Sequence, residues 1–192
     1  MEAVDAVRPS QDPIEEWLAA ARAGDRQALE SFLKAIDQRV YTLAWRLIGD
    51  PALAGDAAQE SLWKVCRSLD RYTPGTNLWG WIYRIVVNQV HDLRRSGAAR
   101  SAAASNYERE PRVNAHDPIR QERLRHVIDA MAVLTNKERD ALVMIDIEGF
   151  SSSEAARLLG CLAITARTRA TQARRKVRRE LVRYYPELKE KS

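Results

Sequence analysis

Two stretches of the chain hold the side-chain types that chemistry or recognition needs. Within residues 70–95, Tyr72, Trp79, Trp81 and Tyr83 stand close to Arg84, His91, Arg94 and Arg95. Aromatic faces stack on unpaired bases and cations meet phosphates, so this mixture suits a grip on single-stranded nucleic acid. Aromatics at helical spacing also build plain cores, and a helical projection at about 100° per residue separates the two uses. Leu78, Ile82, Ile85, Val86, Gln89 and Leu93 share one face, with Trp79 and Val90 at its edge. Trp81, Arg84, Asn88, His91 and Arg95 share another. The first face is read as core. The second wants a partner.

The other stretch is 51–69, where Asp56 and Glu60 lie one turn apart. Paired carboxylates can hold a metal or move a proton, but no third ligand or histidine completes the pair, so no active site is expected. Gln59, Trp63 and Arg67 share the same side, opposite Ala58, Ser61, Leu62, Val65 and Leu69. A tryptophan among charges on an outward face is a mark of protein contact. Cys66 and Cys161 fit neither metal-ligand nor disulfide spacing and are read as small buried thiols in a reducing compartment. His91, His116 and His126 show no ligand spacing either, and no cofactor is expected.

These faces need helices to carry them. Gly and Pro are few, apolar residues make up 45% of the 192, and no long run alternates with period two. The expected fold is therefore all-α. Asp12-Pro13 opens a first helix, Asp25 caps a second carrying Leu29, Phe32, Ile36, Val40 and Leu47, and Gly49-Asp50-Pro51 turns into a third. Pro74-Gly75 marks a loop, and Thr76 or Asn77 caps the helix of the aromatic stretch. Residues 96–116 are rich in Ala, Ser, Arg and Asn and read as a flexible linker able to reach roughly 70 Å when extended. Residues 1–11 read as a tail. The expected layout is thus two small helical domains, 12–95 and 117–188, joined by 96–116.

The second domain starts at Asp117-Pro118. Capping boxes follow at Thr135–Glu138 and Ser151–Glu154. A short helix ends at Gly160, and a long basic helix runs from about Ala163 to Tyr184. A short helix, a glycine turn and a basic helix make the helix-turn-helix pattern. Residues 167–183 hold eight Lys/Arg against Glu180 alone, in a chain of net charge +5 and pI about 9.4. An anionic partner is expected. No signal peptide opens the chain and no apolar run approaches the roughly 18 residues of a membrane span, so a cytoplasmic protein without membrane insertion is expected.

Taken together, these residues resemble a known family, the bacterial extracytoplasmic-function sigma factors, over about 15–184. The first set of motifs is Asp56-Ala57-Ala58-Gln59-Glu60 and Trp79-Gly80-Trp81-Ile82-Tyr83-Arg84-Ile85, with Asn88 and Asp92-Leu93-Arg94-Arg95. The second is Leu134-Thr135, Glu138-Arg139, Glu148-Gly149-Phe150-Ser151, Glu154-Ala155-Ala156, Leu159-Gly160 and Thr165-Ala166-Arg167-Thr168-Arg169, with Ala173-Arg174-Arg175. The resemblance implies a non-enzymatic initiation factor with a region 2 domain and a region 4 domain. Its partners would be the RNA polymerase core (the clamp of the largest subunit and the flap of the second), promoter DNA and an anti-sigma factor. Asp56, Gln59, Glu60 and Trp63 would bind the clamp. Tyr72, Asn77, Trp81, Arg84, Asn88, His91 and Arg95 would capture the melted −10 element. Thr165, Arg167, Thr168 and Arg169 would read the −35 element, with Arg174, Arg175, Arg178 and Arg179 on phosphates. The chain departs from the family in the turn and recognition helix: Leu162 and Ile164 stand where proline and glycine are usual, Ala166 and Ala170 where bulkier apolar residues are, and Thr171-Gln172 for an aromatic or basic pair. The alternative reading is a stand-alone helix-turn-helix regulator of duplex DNA. It leaves the aromatic stretch and the Asp56/Glu60/Trp63 face unused. A carboxylate-dependent nuclease comes third.

Overall fold

The computed structural model describes residues 13–96 and 118–189. The expected tail, the Asp12 and Asp117 caps and the linker beyond Ser96 lie outside them. Among the described residues all regular structure is helical: α1 (Ile14–Arg22), α2 (Arg26–Ile48), α3 (Pro51–Arg67), α4 (Leu78–Arg95), α5 (Pro118–Met131), α6 (Asn136–Leu142), α7 (Ser152–Leu159) and α8 (Ala163–Leu181).

The helix ends follow local chemistry. The Asp25 carboxylate accepts from the backbone N–H of Gln27 and Ala28, and that of Asp50 from Leu53 with Pro51 at the first helical position. Such caps satisfy donors the helix itself leaves open and contribute about 1 kcal/mol each. The Asn77 side chain accepts from Gly80 N–H at 2.8 Å and starts α4. Both expected capping boxes form, Thr135 with Glu138 and Ser151 with Glu154. Two bounds differ from expectation. After Leu142 the chain widens into a π-helical turn, Val143–Ile147, rather than continuing as an α-helix to Gly149. The basic helix ends at Leu181, three residues before Tyr184.

In the first half, α2 is the central rod, packed by α1, α3 and α4. Phe32, Ile36, Val40, Leu43, Ala44 and Leu47 are buried along it, facing Ala54, Ala57, Ala58 and Val65 of α3. Each large aliphatic or aromatic side chain so buried contributes about 1.5–3 kcal/mol. In the second half α8 is packed by α5, α6 and α7. Ala155 and Ala156 meet the alanine stripe Ala166, Ala170 and Ala173, all buried. Small side chains let the two helices approach closely.

The two halves pack on one another. α4 lies against α7 and the end of α2 against α6. Gly49, in the left-handed region at φ 81°, also lies close against the second half: a Cβ there would meet the Arg139 guanidinium at 3.0 Å. Arg139 is buried and donates to the Met131 carbonyl at 2.8 Å. Burial holds its basicity below the usual arginine range, and the charge of Arg94 adds to that.

Candidate nucleic-acid interface

The loop before α4 is a braced platform. Tyr72 donates to the Thr76 carbonyl at 2.8 Å, and Thr76 donates to that of Thr73 at 2.7 Å, around Gly75 at φ 78°. The Tyr72 ring is only 4% exposed and lies 5.4 Å from Trp81, tilted by 50°. Burial pushes its hydroxyl up from the usual tyrosine range. Tyr72 therefore supports Trp81 from beneath, and its ring is not an open stacking surface. Asn77 spends its side-chain oxygen on the helix cap.

Along α4 the buried stripe is Leu78, Ile82, Tyr83, Val86, Val87 and Val90. This differs from the projected one: Ile85, Gln89 and Leu93 are at its margin, while Tyr83 and Val87 are inside. The cause is the second half of the molecule, which covers a flank of α4 that a single-domain projection leaves to water. Lys64 reaches across from α3 and donates to the side-chain amide oxygen of Gln89.

Arg84 and Asn88 remain exposed on the outward face and Trp81 is half-buried. The Arg84 guanidinium comes only to 3.5 Å of the Arg157 carbonyl. Arg95 pairs with Asp92 on its own helix and holds that carboxyl below the usual range. His91 is not free. It lies 2.9 Å from Asp140 of α6, which also receives both bonds of the Arg94 Nη1 at 2.9 and 3.0 Å. Arg94 further donates to the Leu47 carbonyl at 2.6 Å. A cleft of about 820 Å³ opens between the halves, with Arg84, Asn88, His91 and Arg95 on one wall and Lys137, Arg157 and Arg169 on the other. Its walls are predominantly cationic, and such a cleft concentrates anions.

A second carboxylate joins the halves on the other side of α4. Glu148 accepts from Arg46 at 2.5 Å and from the Tyr83 hydroxyl at 2.7 Å. Arg39 donates to the Tyr83 oxygen at 2.6 Å and sits 3.9 Å over the Trp79 ring. Phe150 meets the Tyr83 ring edge-on at 5.7 Å. Burial, then the bond to Glu148, pushes the Tyr83 hydroxyl far above the usual tyrosine range, so it stays a donor. Glu148 and Asp140 were not singled out as site residues from the sequence. Their partners lie 46 to 102 positions away, and no local periodicity signals such a contact.

The face of α3 is as expected. Asp56, Gln59 and Glu60 are exposed, Trp63 is 61% exposed, and none of the four has an intramolecular polar partner among the described residues. The opposite side, Ala58, Ser61 and Val65, is buried. Cys66 and Cys161 are free and half-buried rather than fully buried, and no group of His, Cys, Asp or Glu suited to a metal occurs among the described residues.

On α8, Arg167, Thr168, Arg175 and Arg179 are exposed, while Thr165 and Arg169 are half-buried. Arg174 and Arg178 are not free cations. Arg174 pairs with Asp146 at 2.9 and 3.0 Å, and Arg178 donates to the Leu188 carbonyl at 2.9 Å. Lys176 binds Glu138 at 2.8 Å. No helix among the described residues is long and apolar enough to cross a membrane.

Comparison with known proteins gives a consistent answer for both halves. The family model for Sigma-70 region 2 matches residues 32–100, and that for Sigma-70, region 4 matches residues 124–177. The ECF RNA polymerase sigma factor SigE of Mycolicibacterium smegmatis is 35% identical over 195 residues, spanning 95% of this chain and 74% of that protein. The RNA polymerase sigma factor CarQ of Myxococcus xanthus is 32% identical over 158 residues, spanning 82% and 91%. Among solved structures, the sigma factor RpoE bound to the anti-sigma factor NepR from Bartonella quintana gives a TM-score of 0.62 at 22% identity, covering 79% of this chain and 95% of that one. CnrH with the cytosolic domain of CnrY gives 0.60 at 22%, covering 94% and 100%. At such identity these two likenesses establish the fold.

Proposed function

The chain belongs to the extracytoplasmic-function RNA polymerase sigma factors, and from that premise we propose how its surfaces divide the work of promoter recognition. The α3 face of Asp56, Gln59, Glu60 and Trp63 docks on the clamp of the largest polymerase subunit. The second half engages the flap of the second subunit and lays α8 in the major groove of the −35 element. The outward face of α4 holds the melted −10 strand. The observation that carries this reading is that α4 has a buried stripe and, opposite it, Arg84 and Asn88 facing a cationic cleft.

No bond is made or broken, so the chain acts without catalysis of its own. Unpairing a base costs a few kcal/mol. Stacking returns about 1–3 kcal/mol per base, here on Trp81 held by Tyr72, and Asn88 supplies a donor and an acceptor for a base edge. Arg84 and Arg95 meet phosphates. His91 joins them once Asp140 releases it, so the second half swings off α4 as a strand enters, and residues 96–116 set the reach of that movement. Asn77 and Tyr72 act by holding the loop. On α8, Thr165, Arg167, Thr168 and Arg169 face base edges, whereas Arg175 and Arg179 meet phosphates and Arg174 and Arg178 do so after exchanging their internal partners. Because the polymerase is cytoplasmic, so is the site of action. The fold shared with the sigma factor RpoE, crystallised with the anti-sigma factor NepR, supports an anti-sigma partner for this chain too.

Reconstitution with core polymerase and a randomised promoter library tests the proposal. Selective initiation from a two-part promoter supports it. A chain that neither binds core nor selects any sequence refutes it.

A further inference from the structure

The start of α8 carries a feature that phosphate contacts do not use. Leu162 and Ile164 are 71% and 64% exposed, the two most exposed large apolar side chains among the described residues. They lie at the mouth of the helix-turn-helix, where polar residues would cost nothing. Ile164 stands in the first turn of α8, on its outward side. Counting along α8, Ile164, Thr168, Gln172, Arg175 and Arg179 recur at three- and four-residue steps on one side, and all are exposed. Ala166, Ala170, Ala173 and Val177 recur on the opposite side, and all are buried. The outward side of the helix thus begins aliphatic and ends cationic.

Resting on the reading that α8 enters the major groove, we propose that Ile164 and Leu162 read thymine 5-methyl groups of the −35 element. Duplex DNA is the occupant that the charge pattern selects. Arg167, Arg175 and Arg179 surround and extend the apolar pair and have no internal partner among the described residues, so an apolar groove on a protein would have to bury uncompensated cations beside it. The major groove displays donors, acceptors and a single kind of apolar group, the thymine methyl. An isoleucine cannot hydrogen-bond a base edge. Against guanine, adenine or cytosine it strips water from polar atoms without replacing the bond, which is unfavourable; against thymine it buries one methyl. Leu162 precedes the helix and offers no side-chain cap, leaving the first-turn N–H groups to a phosphate beside the same base pair.

The test uses holoenzyme and a promoter recovered from the library. Each −35 thymine is replaced in turn by deoxyuridine, which lacks only the methyl. One or two positions should lose about fourfold in binding, the factor that burying one such group gives. That sensitivity should vanish in Ile164→Ala or Leu162→Ala, a coupling read by the double-mutant cycle. Both side chains are exposed, so unchanged thermal melting confirms that the variants fold. Equal deoxyuridine sensitivity in wild type and variants, or none in either, overturns the proposal. Scrambling the whole −35 element separates the levels: if scrambling weakens binding while deoxyuridine does not, only the methyl readout falls. If scrambling has no effect, the placement of α8 on that element falls with it.

Discussion

In the proposed reading the α4 face and the α8 face both meet nucleic acid, yet the molecule treats them differently. On α8, Arg167, Arg175 and Arg179 stand exposed without internal partners among the described residues, whereas Arg174 is held by Asp146. The α4 face looks into a cleft whose far wall is the second half of the same chain, and two of its members are already engaged, His91 by Asp140 and Arg95 by Asp92. A duplex can be met by a rigid helix without rearrangement. A strand that must first be unpaired can be met by a face that is covered until its partner moves. The buried carboxylates Asp140 and Glu148 make that difference, because each takes its donors from the opposite half.

The largest expected effect comes from removing one of them. Asp140→Ala leaves Arg94, mostly buried, without its carboxylate, a loss of about 3–5 kcal/mol for a buried pair broken on one side. The halves should separate, seen as a larger radius of gyration by small-angle scattering, while α8 still binds duplex DNA. An unchanged radius would mean that packing of Tyr83 on Phe150, rather than charge, holds the halves. Next comes Asn88→Ala. It should leave core binding intact and weaken promoter opening by roughly 1–3 kcal/mol, the range of one base contact.

A smaller effect separates cations within α8. Arg175→Ala should weaken promoter binding alike for all sequences and lower the salt slope by about one. Arg174→Ala should do less, since Arg174 must first leave Asp146. Equal losses would show that the Asp146 pair is not kept in solution. The smallest effect is on pH. Lys176 and the Thr135 backbone hold the Glu138 carboxyl below its ordinary value of 4.5. A depressed carboxyl stabilises the fold above that value, and the stabilisation is lost as the pH falls below it. Thermal melting of wild type should therefore drop more steeply in acid than that of Glu138→Gln.

Much of this was legible in the sequence, and the failures share one cause. Caps, turns and capping boxes are decided within three or four residues, so Asp25, Asp50, Thr135 and Ser151 could be placed from the chain alone, and the cap of α4 could be narrowed to Thr76 or Asn77. The α3 face and the alanine-lined crossing of α7 and α8 follow from helical period. What misled was the assumption that each half meets only water outside itself. It put Tyr83 and Val87 off the core of α4, left His91 free, and passed over Glu148 and Asp140 as site residues. Tyr72 is a different case: its type suited stacking, but the tight turn at Gly75 folds the ring under Trp81. Arg174 and Arg178 show that a count of cations overstates those available to phosphate.

Open-complex formation is the most direct measure of the central claim, that this chain uses the outward face of α4 to hold a melted strand for the polymerase. Core polymerase reconstituted with the chain should render the −10 thymines of a selected promoter reactive to permanganate. Asn88→Ala holoenzyme, bound to the same promoter, should leave them largely protected. Full reactivity with Asn88→Ala, or reactivity that needs no core polymerase, would contradict it.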